Sequence, residues 1–139
     1  MFSNKVVKIL LNSLPYKNMV RVGVDITDIE RVKKFYERKG EKFLDRILTH
    51  REKEYVMKHE KFLLNLAGRF AGKEAFFKAL GTGIINFQEV EILNEPSGKP
   101  YVNLYGRTKE IFDSLNVKSM DISISHTELA AVSVVVFEI

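Results

Sequence analysis

The sequence predicts an α+β fold in which a largely antiparallel sheet packs against helices. Three observations lead there. Segments at Val20–Ile26 and Ser119–Ser125 alternate apolar and polar residues with the period of a strand. A run of helical segments with capping signals separates the first strand from the later ones. A connector rich in turn formers, Asn94-Glu-Pro-Ser-Gly-Lys99, joins two short apolar runs as a hairpin. The resulting order, βαααα-ββ-α-ββ, groups its strands in hairpins and implies antiparallel pairing.

In the first strand Val20, Val22, Val24 and Ile26 alternate with Arg21, Gly23 and Asp25, so Asp25 faces away from the valines at the strand's end. Thr27 followed by Glu30 has the spacing of a capping box, opening a helix from about Asp28 to Lys39 that stops at Gly40. Its apolar side is Ile29, Val32, Phe35 and Tyr36, and the remainder is strongly basic. Glu41–Leu48 reads as a short helix, and Thr49 with Glu52 forms a second capping box for a helix reaching about His59. His50 and His59 lie among charged residues and read as surface groups. The central helix spans roughly Lys61–Leu80. Glu89–Leu93 and Pro100–Leu104 form the hairpin, Arg107–Leu115 a helix, and Ser119–Ser125 and Ala130–Val136 the closing strands. The last strand is apolar on both faces, which places it centrally or at a subunit contact.

A chain of 139 residues is the size of one domain. It has no cysteine, which removes disulfides, thiolate metal sites and cysteine catalysis. With 22 basic and 18 acidic residues its net charge is +4, suited to an anionic partner. No stretch approaches the roughly 20 apolar residues of a membrane span. The N-terminal stretch has too little positive charge and no small-residue cleavage site for a secretory signal, so a cytoplasmic protein without membrane attachment is expected. The alternation begins directly after Met19, and the domain is therefore expected at 19–139, with 1–18 an extension.

The central stretch carries the chemical signal. On a helical wheel Leu63, Leu66, Ala67, Phe70 and Phe77 share one arc, and Glu74 falls inside it with Lys78 at its edge. A carboxylate on an apolar stripe has to be paired, hydrogen-bonded, metal-bound or protonated, since burying a lone charge costs several kcal/mol. An internal Glu74–Lys78 pair would satisfy it and so would a functional role. Gly81 suits the left-handed residue that closes a helix, and Gly83 leaves the backbone open to a ligand. Asp25, Glu74 with Lys78, and the Ser123–Thr127 strand end together suit a hard divalent cation held by two carboxylates, with phosphate oxygens and water completing its shell.

Four pieces, in order, carry a resemblance: Gly23-Val-Asp-Ile-Thr-Asp-Ile-Glu-Arg31, Gly68-Arg-Phe-Ala-Gly-Lys-Glu-Ala-Phe-Phe-Lys-Ala-Leu-Gly-Thr-Gly83, Ser97-Gly-Lys-Pro100 and Ser123-Ile-Ser-His-Thr127. The chain resembles the holo-[acyl-carrier-protein] synthases, the short bacterial 4'-phosphopantetheinyl transferases, over nearly all of 19–138. The resemblance implies transfer of the phosphopantetheine arm of coenzyme A to a serine of apo acyl carrier protein, Mg²⁺-dependent, in fatty acid biosynthesis. It implies Asp25 and Glu74 as Mg²⁺ ligands and Lys78 beside the pyrophosphate. His126 and Thr127 match the segment at the nucleotide end, with Arg69, Lys99 and Gly83 as further phosphate or adenine contacts. Arg31, Arg38 and Lys42 match or adjoin the positions that dock the acidic carrier; between Glu30 and Lys42 six basic residues face three acidic ones, a charge that steers encounter. The base for the serine hydroxyl stays open among Glu74, a metal-bound water and a carrier carboxylate. A homotrimer with active sites at subunit contacts is also implied.

Two readings of other classes compete. A single-stranded nucleic-acid module would use the net charge with the 10 Phe and 5 Tyr, but should interleave basic and aromatic residues on an open sheet face, whereas most phenylalanines here fall in helices. A non-catalytic carrier-binding protein would need neither Asp25 nor Glu74.

Overall fold

A computed structural model describes residues 4–5 and 19–139; the expected extension at 1–18 lies almost wholly outside them. The elements are β1 (Val20–Asp28), α1 (Ile29–Lys39), α2 (Glu41–Ile47), α3 (His50–Met57), α4 (Phe62–Leu80), a 3₁₀ turn (Phe87–Glu89), β2 (Val90–Asn94), β3 (Pro100–Leu104), α5 (Gly106–Ser114), β4 (Ser119–His126) and β5 (Ala130–Glu138). The α+β class and the antiparallel pairing are as expected. The strands divide into a three-stranded sheet of order β1-β5-β4 and a separate β2-β3 hairpin. The doubly apolar β5 is the central strand.

Helix α4 is the spine. It packs across one face of the three-stranded sheet, with α1 and β2 against its flanks. It is buried on nearly every side, including Leu66, Ala67, Ala71, Ala75, Phe76, Phe77 and Leu80. Wheel analysis therefore loses its force: with several neighbours, α4 has no broad solvent face, and of the expected arc Leu63, Phe70 and Glu74 are only half-buried. Gly81 takes the left-handed conformation, φ 81°, and donates its N–H to the Phe77 carbonyl.

Strand β1 lies directly on this helix. A Cβ at Gly23 would stand 1.8 Å from the Ala75 carbonyl oxygen and 2.6 Å from the Ala79 nitrogen, so only glycine permits the two backbones to meet. The two faces of β1 divide as the alternation indicates, and it is the polar side that meets the helix. Gly23, Asp25 and Thr27 are buried against α4, while Val20, Val22, Val24 and Ile26 point outward, Ile26 with 70% of its surface exposed. The strand also continues to Asp28, placing Asp25 inside it rather than at its end. The Thr27–Glu30 capping box does not form. Thr27 belongs to the strand and its hydroxyl donates to Asp25, leaving Asp28 as an N-cap without a side-chain bond.

The second box does form: Thr49 Oγ1 accepts from the Glu52 N–H and Glu52 returns a carboxylate to Thr49 N–H. Its helix stops at Met57, short of His59, whose ring packs on Tyr55. His50 is exposed and pairs with Glu54 at 3.0 Å. The β2 strand starts at Val90, because Glu89 sits in the 3₁₀ turn and accepts from the Arg107 and Thr108 N–H groups at the start of α5.

Candidate active site

The buried face of β1 and the adjoining edge of α4 bring Asp25, Glu74 and Lys78 together. Asp25 is 7% exposed. One of its oxygens, Oδ2, accepts from Thr27 Oγ1 at 2.9 Å, and the other, Oδ1, accepts from Lys78 Nζ at 3.1 Å. Lys78 Nζ also donates to the Val24 carbonyl at 3.0 Å. The i, i+4 partnership of Lys78 with Glu74 is thus replaced by one that crosses from helix to strand.

Glu74 is left beside a buried carboxylate. Burial first, and then hydrogen bonding and repulsion from Asp25, push its carboxyl up to about 7, against the opposing pull of Lys78 and Arg31. Two hard oxygen donors that resist sharing negative charge form a natural receptor for a small dication. Among the described residues no group of three or more His, Asp or Glu could hold a metal. Mg²⁺ characteristically uses one or two carboxylates and takes its remaining ligands from water and phosphate. The Asp25–Glu74 pair fits that requirement.

His126 closes β4 in the row of Thr27 and Ala131. It shares the inner face of the sheet with Asp25 and Thr27, two strand spacings from Thr27, or about 10 Å. Thr127 accepts through Oγ1 from the Leu129 and Ala130 N–H groups and shapes the turn into β5. Gly83, with φ 72°, lies exposed beyond α4, and nothing lies within 4 Å of the position a Cβ would take. Two expected phosphate contacts stand apart. Arg69 is buried, stacked over Tyr55 at 4.9 Å and bonded to Asn94, with its Nε lacking a partner. Lys99 pairs with Asp121 at 2.7 Å, and Asp121 lies four residues along β4 from Ser125, toward the opposite end of the sheet from His126.

Arg31 and Arg38 line a groove of about 880 Å³ along α1, with Asp28, Lys34, Phe35 and Leu129 among its walls. Both guanidinium groups lie over Phe35, at 5.7 and 5.4 Å from its centroid. Lys42 is exposed on α2. The proximity of Arg31 to Glu74 joins this groove to the carboxylates.

Sequence reasoning overlooked Lys73. It is fully buried, and its ammonium donates to Glu52 Oε1 and the Ile47 carbonyl at 2.6 Å each and to the Phe87 carbonyl at 2.9 Å. Glu52 also accepts from the Thr49 and Ile92 N–H groups. Four segments are thereby fastened to the residue preceding Glu74. The capping box at Thr49–Glu52 was visible in the sequence, but the role of Glu52 as a counterion was not.

Residues 21–132 match the family model described as the 4'-phosphopantetheinyl transferase superfamily. The holo-[acyl-carrier-protein] synthase of Chloroherpeton thalassium is 43% identical over 122 residues, covering 86% of this chain and 98% of that protein. Among solved structures, the synthase of Neisseria meningitidis aligns with a TM-score of 0.79 at 32% identity, over 86% of this chain and 98% of that one. The Helicobacter pylori synthase in complex with coenzyme A aligns with a TM-score of 0.74 at 37% identity, over 84% and 98%.

Proposed function

Because the chain belongs to the 4'-phosphopantetheinyl transferase superfamily, we propose that it acts as a holo-[acyl-carrier-protein] synthase. It transfers the 4'-phosphopantetheine arm of coenzyme A to a serine of apo acyl carrier protein and releases adenosine 3',5'-bisphosphate, a step in fatty acid biosynthesis. The observation that carries the reading is the convergence of Asp25 of β1 with Glu74 and Lys78 of α4, in a chain matched over residues 21–132.

Asp25 and Glu74 would hold Mg²⁺, and the chemistry that ion would supply is neutralisation of negative charge on the phosphoanhydride. Lys78 holds the pyrophosphate while remaining anchored to Asp25 and the Val24 carbonyl. The serine oxygen forms the new bond to phosphorus, the bond from that phosphorus to the bridging oxygen of the anhydride breaks, and the serine proton passes to a base. Glu74, a metal-bound water and a carboxylate of the carrier are the groups that could take it. His126, Thr127 and Gly83 serve the nucleotide. Lys99, exposed beside Asp121, would reach the phosphates from a neighbouring subunit, whereas Arg69, buried against Tyr55 and Asn94, is not placed to touch them. Arg31, Arg38 and Lys42 receive the acidic carrier and steer its approach.

The outward valines of β1 continue onto β5 at Val132, Val134 and Val136, where Val134 is exposed. A sheet face of this kind is a self-association surface, and the protein works as a homotrimer whose active sites use it. Light scattering on the purified chain tests this, a monomeric mass arguing against it. The same face counts against a nucleic-acid platform, since it carries valines while Phe76, Phe77 and Phe137 are core residues. No described helix is long and apolar enough to cross a membrane; the cytoplasmic location proposed for the reaction rests on the substrate pair. The catalytic unit is 19–139, with 1–18 dispensable for transfer.

Intact mass spectrometry of apo carrier protein incubated with this protein, coenzyme A and Mg²⁺ tests the reaction. A gain of about 340 Da, the mass of the transferred arm, that EDTA abolishes is expected. No gain with several carriers and folded protein would overturn it.

A further inference from the structure

Arg21 lies on the buried face of β1, in line with Gly23 and Asp25 but toward the other end of the contact with α4. Its Nε donates to the Ala79 carbonyl at 2.9 Å and its Nη2 to the Leu80 carbonyl at 2.8 Å. These are terminal carbonyls of α4, which have no partner within the helix. Such an end also carries roughly half a negative charge. Among the described residues no carboxylate lies within ion-pair distance of Arg21, so its charge is directed at the helix end rather than offset elsewhere. The guanidinium also approaches Gly81 closely enough that an added Cβ there would meet Nη2 at 2.5 Å.

Lys78 lies on the last turn of the same helix, and Gly81–Gly83 follows directly. An anionic ligand that extends from the Lys78 ammonium, held at Asp25, to Gly83 therefore passes the negative end of α4. We propose that Arg21 is a positioning residue for coenzyme A: it acts through the C-terminus of α4, clamping the Gly81–Gly83 turn and offsetting the charge that would oppose the ligand's phosphates. The clamp also fixes β1 to α4 at a second point, so that Asp25 and Lys78 keep their register. The kinetic part of this proposal rests on the transferase reading, whereas the clamp itself does not.

The test uses the full chain with Arg21→Gln, which removes the charge, and Arg21→Lys, which keeps it while losing the two-pronged bond. In Arg21→Gln the KM for coenzyme A should rise about fivefold, the upper range for a charge at a helix terminus. The KM for carrier protein should stay within about twofold by the same scale. Arg21→Lys should recover most of the coenzyme A effect. In both variants the Gly81 amide should exchange its hydrogen about tenfold faster, matching loss of a charge-assisted bond, without general loss of protection. Unchanged coenzyme A KM in folded Arg21→Gln overturns the electrostatic role, as does an equal rise in both KM values. Unchanged exchange at Gly81 overturns the clamp, and that measurement decides even if the wild-type chain transfers nothing and the transferase reading itself falls.

Discussion

Lys78 reaches across from α4 to place its ammonium 3.1 Å from Asp25 Oδ1, although Glu74 lies one helical turn before it. The lysine pairs with the more deeply buried carboxylate, and the carboxyl of Glu74 beside it is raised to about 7. The two acids are thus unequal before any ligand arrives: Asp25 is tied to Thr27 and Lys78, and Glu74 is poised close to neutrality.

Removing either acid should stop transfer while sparing the fold. Asp25→Asn and Glu74→Gln are expected to lower kcat/KM at least about a hundredfold, the scale of losing one preorganised electrostatic group. Thermal melting of each variant should remain cooperative. Turnover at the wild-type level in either would remove that residue from the metal site.

The elevated carboxyl of Glu74 has a pH signature in metal-free protein. The folded form binds this proton more tightly than the unfolded chain, whose Glu titrates near the ordinary value of 4.5. Its stabilising contribution is therefore complete below that value and is lost as pH rises through about 7. Melting temperature measured in EDTA should fall between pH 5 and pH 8 by more in the wild type than in Glu74→Gln. Equal slopes would show that Glu74 is not the group responsible.

Charge reversal at the α1 groove should separate the two substrates. Arg31→Glu is expected to raise the KM for acyl carrier protein about tenfold or more, with a smaller rise for coenzyme A, and added salt should narrow the difference. Equal effects on both substrates would relocate the carrier to another surface.

The Lys73–Glu52 pair should matter to stability far more than an exposed pair would. Lys73→Met leaves a buried carboxylate without its cation and is expected to cost about 3–5 kcal/mol. Pairing it with Glu52→Leu should recover part of that loss, because the second change removes the orphaned charge. Urea denaturation of the two variants measures both terms, and a double variant less stable than Lys73→Met would argue that the backbone bonds of Glu52 dominate.

Several elements were legible from a single local rule, although the same rule failed at Thr27–Glu30, where the strand claims Thr27. The Thr49–Glu52 box, the Gly81 stop and the Asn94–Lys99 hairpin each follow from local chemistry, and each formed. The facing of β1 was not local. Its alternation fixes two faces without saying which one meets α4, and here the helix takes Gly23 and Asp25 because only the glycine side admits so close an approach. The same limit applies to charge. Glu74 stood out on the wheel, whereas Lys73 passed as an ordinary helical lysine, since its partners come from Ile47, Glu52 and Phe87. Asp25 and Glu74 lie 49 positions apart, and no spacing rule joins them; only the packing of strand on helix does.

The backbone contact at Gly23 has an entropic consequence. The separation between the acid-bearing strand and the acid-bearing helix is set by main chain pressed on main chain, so it does not have to be selected from a spread of arrangements each time a ligand binds. The loss of freedom needed to hold these two acids at one distance has been incurred once, during folding. A single methyl group at position 23 would force the two backbones apart and return that loss to every catalytic cycle.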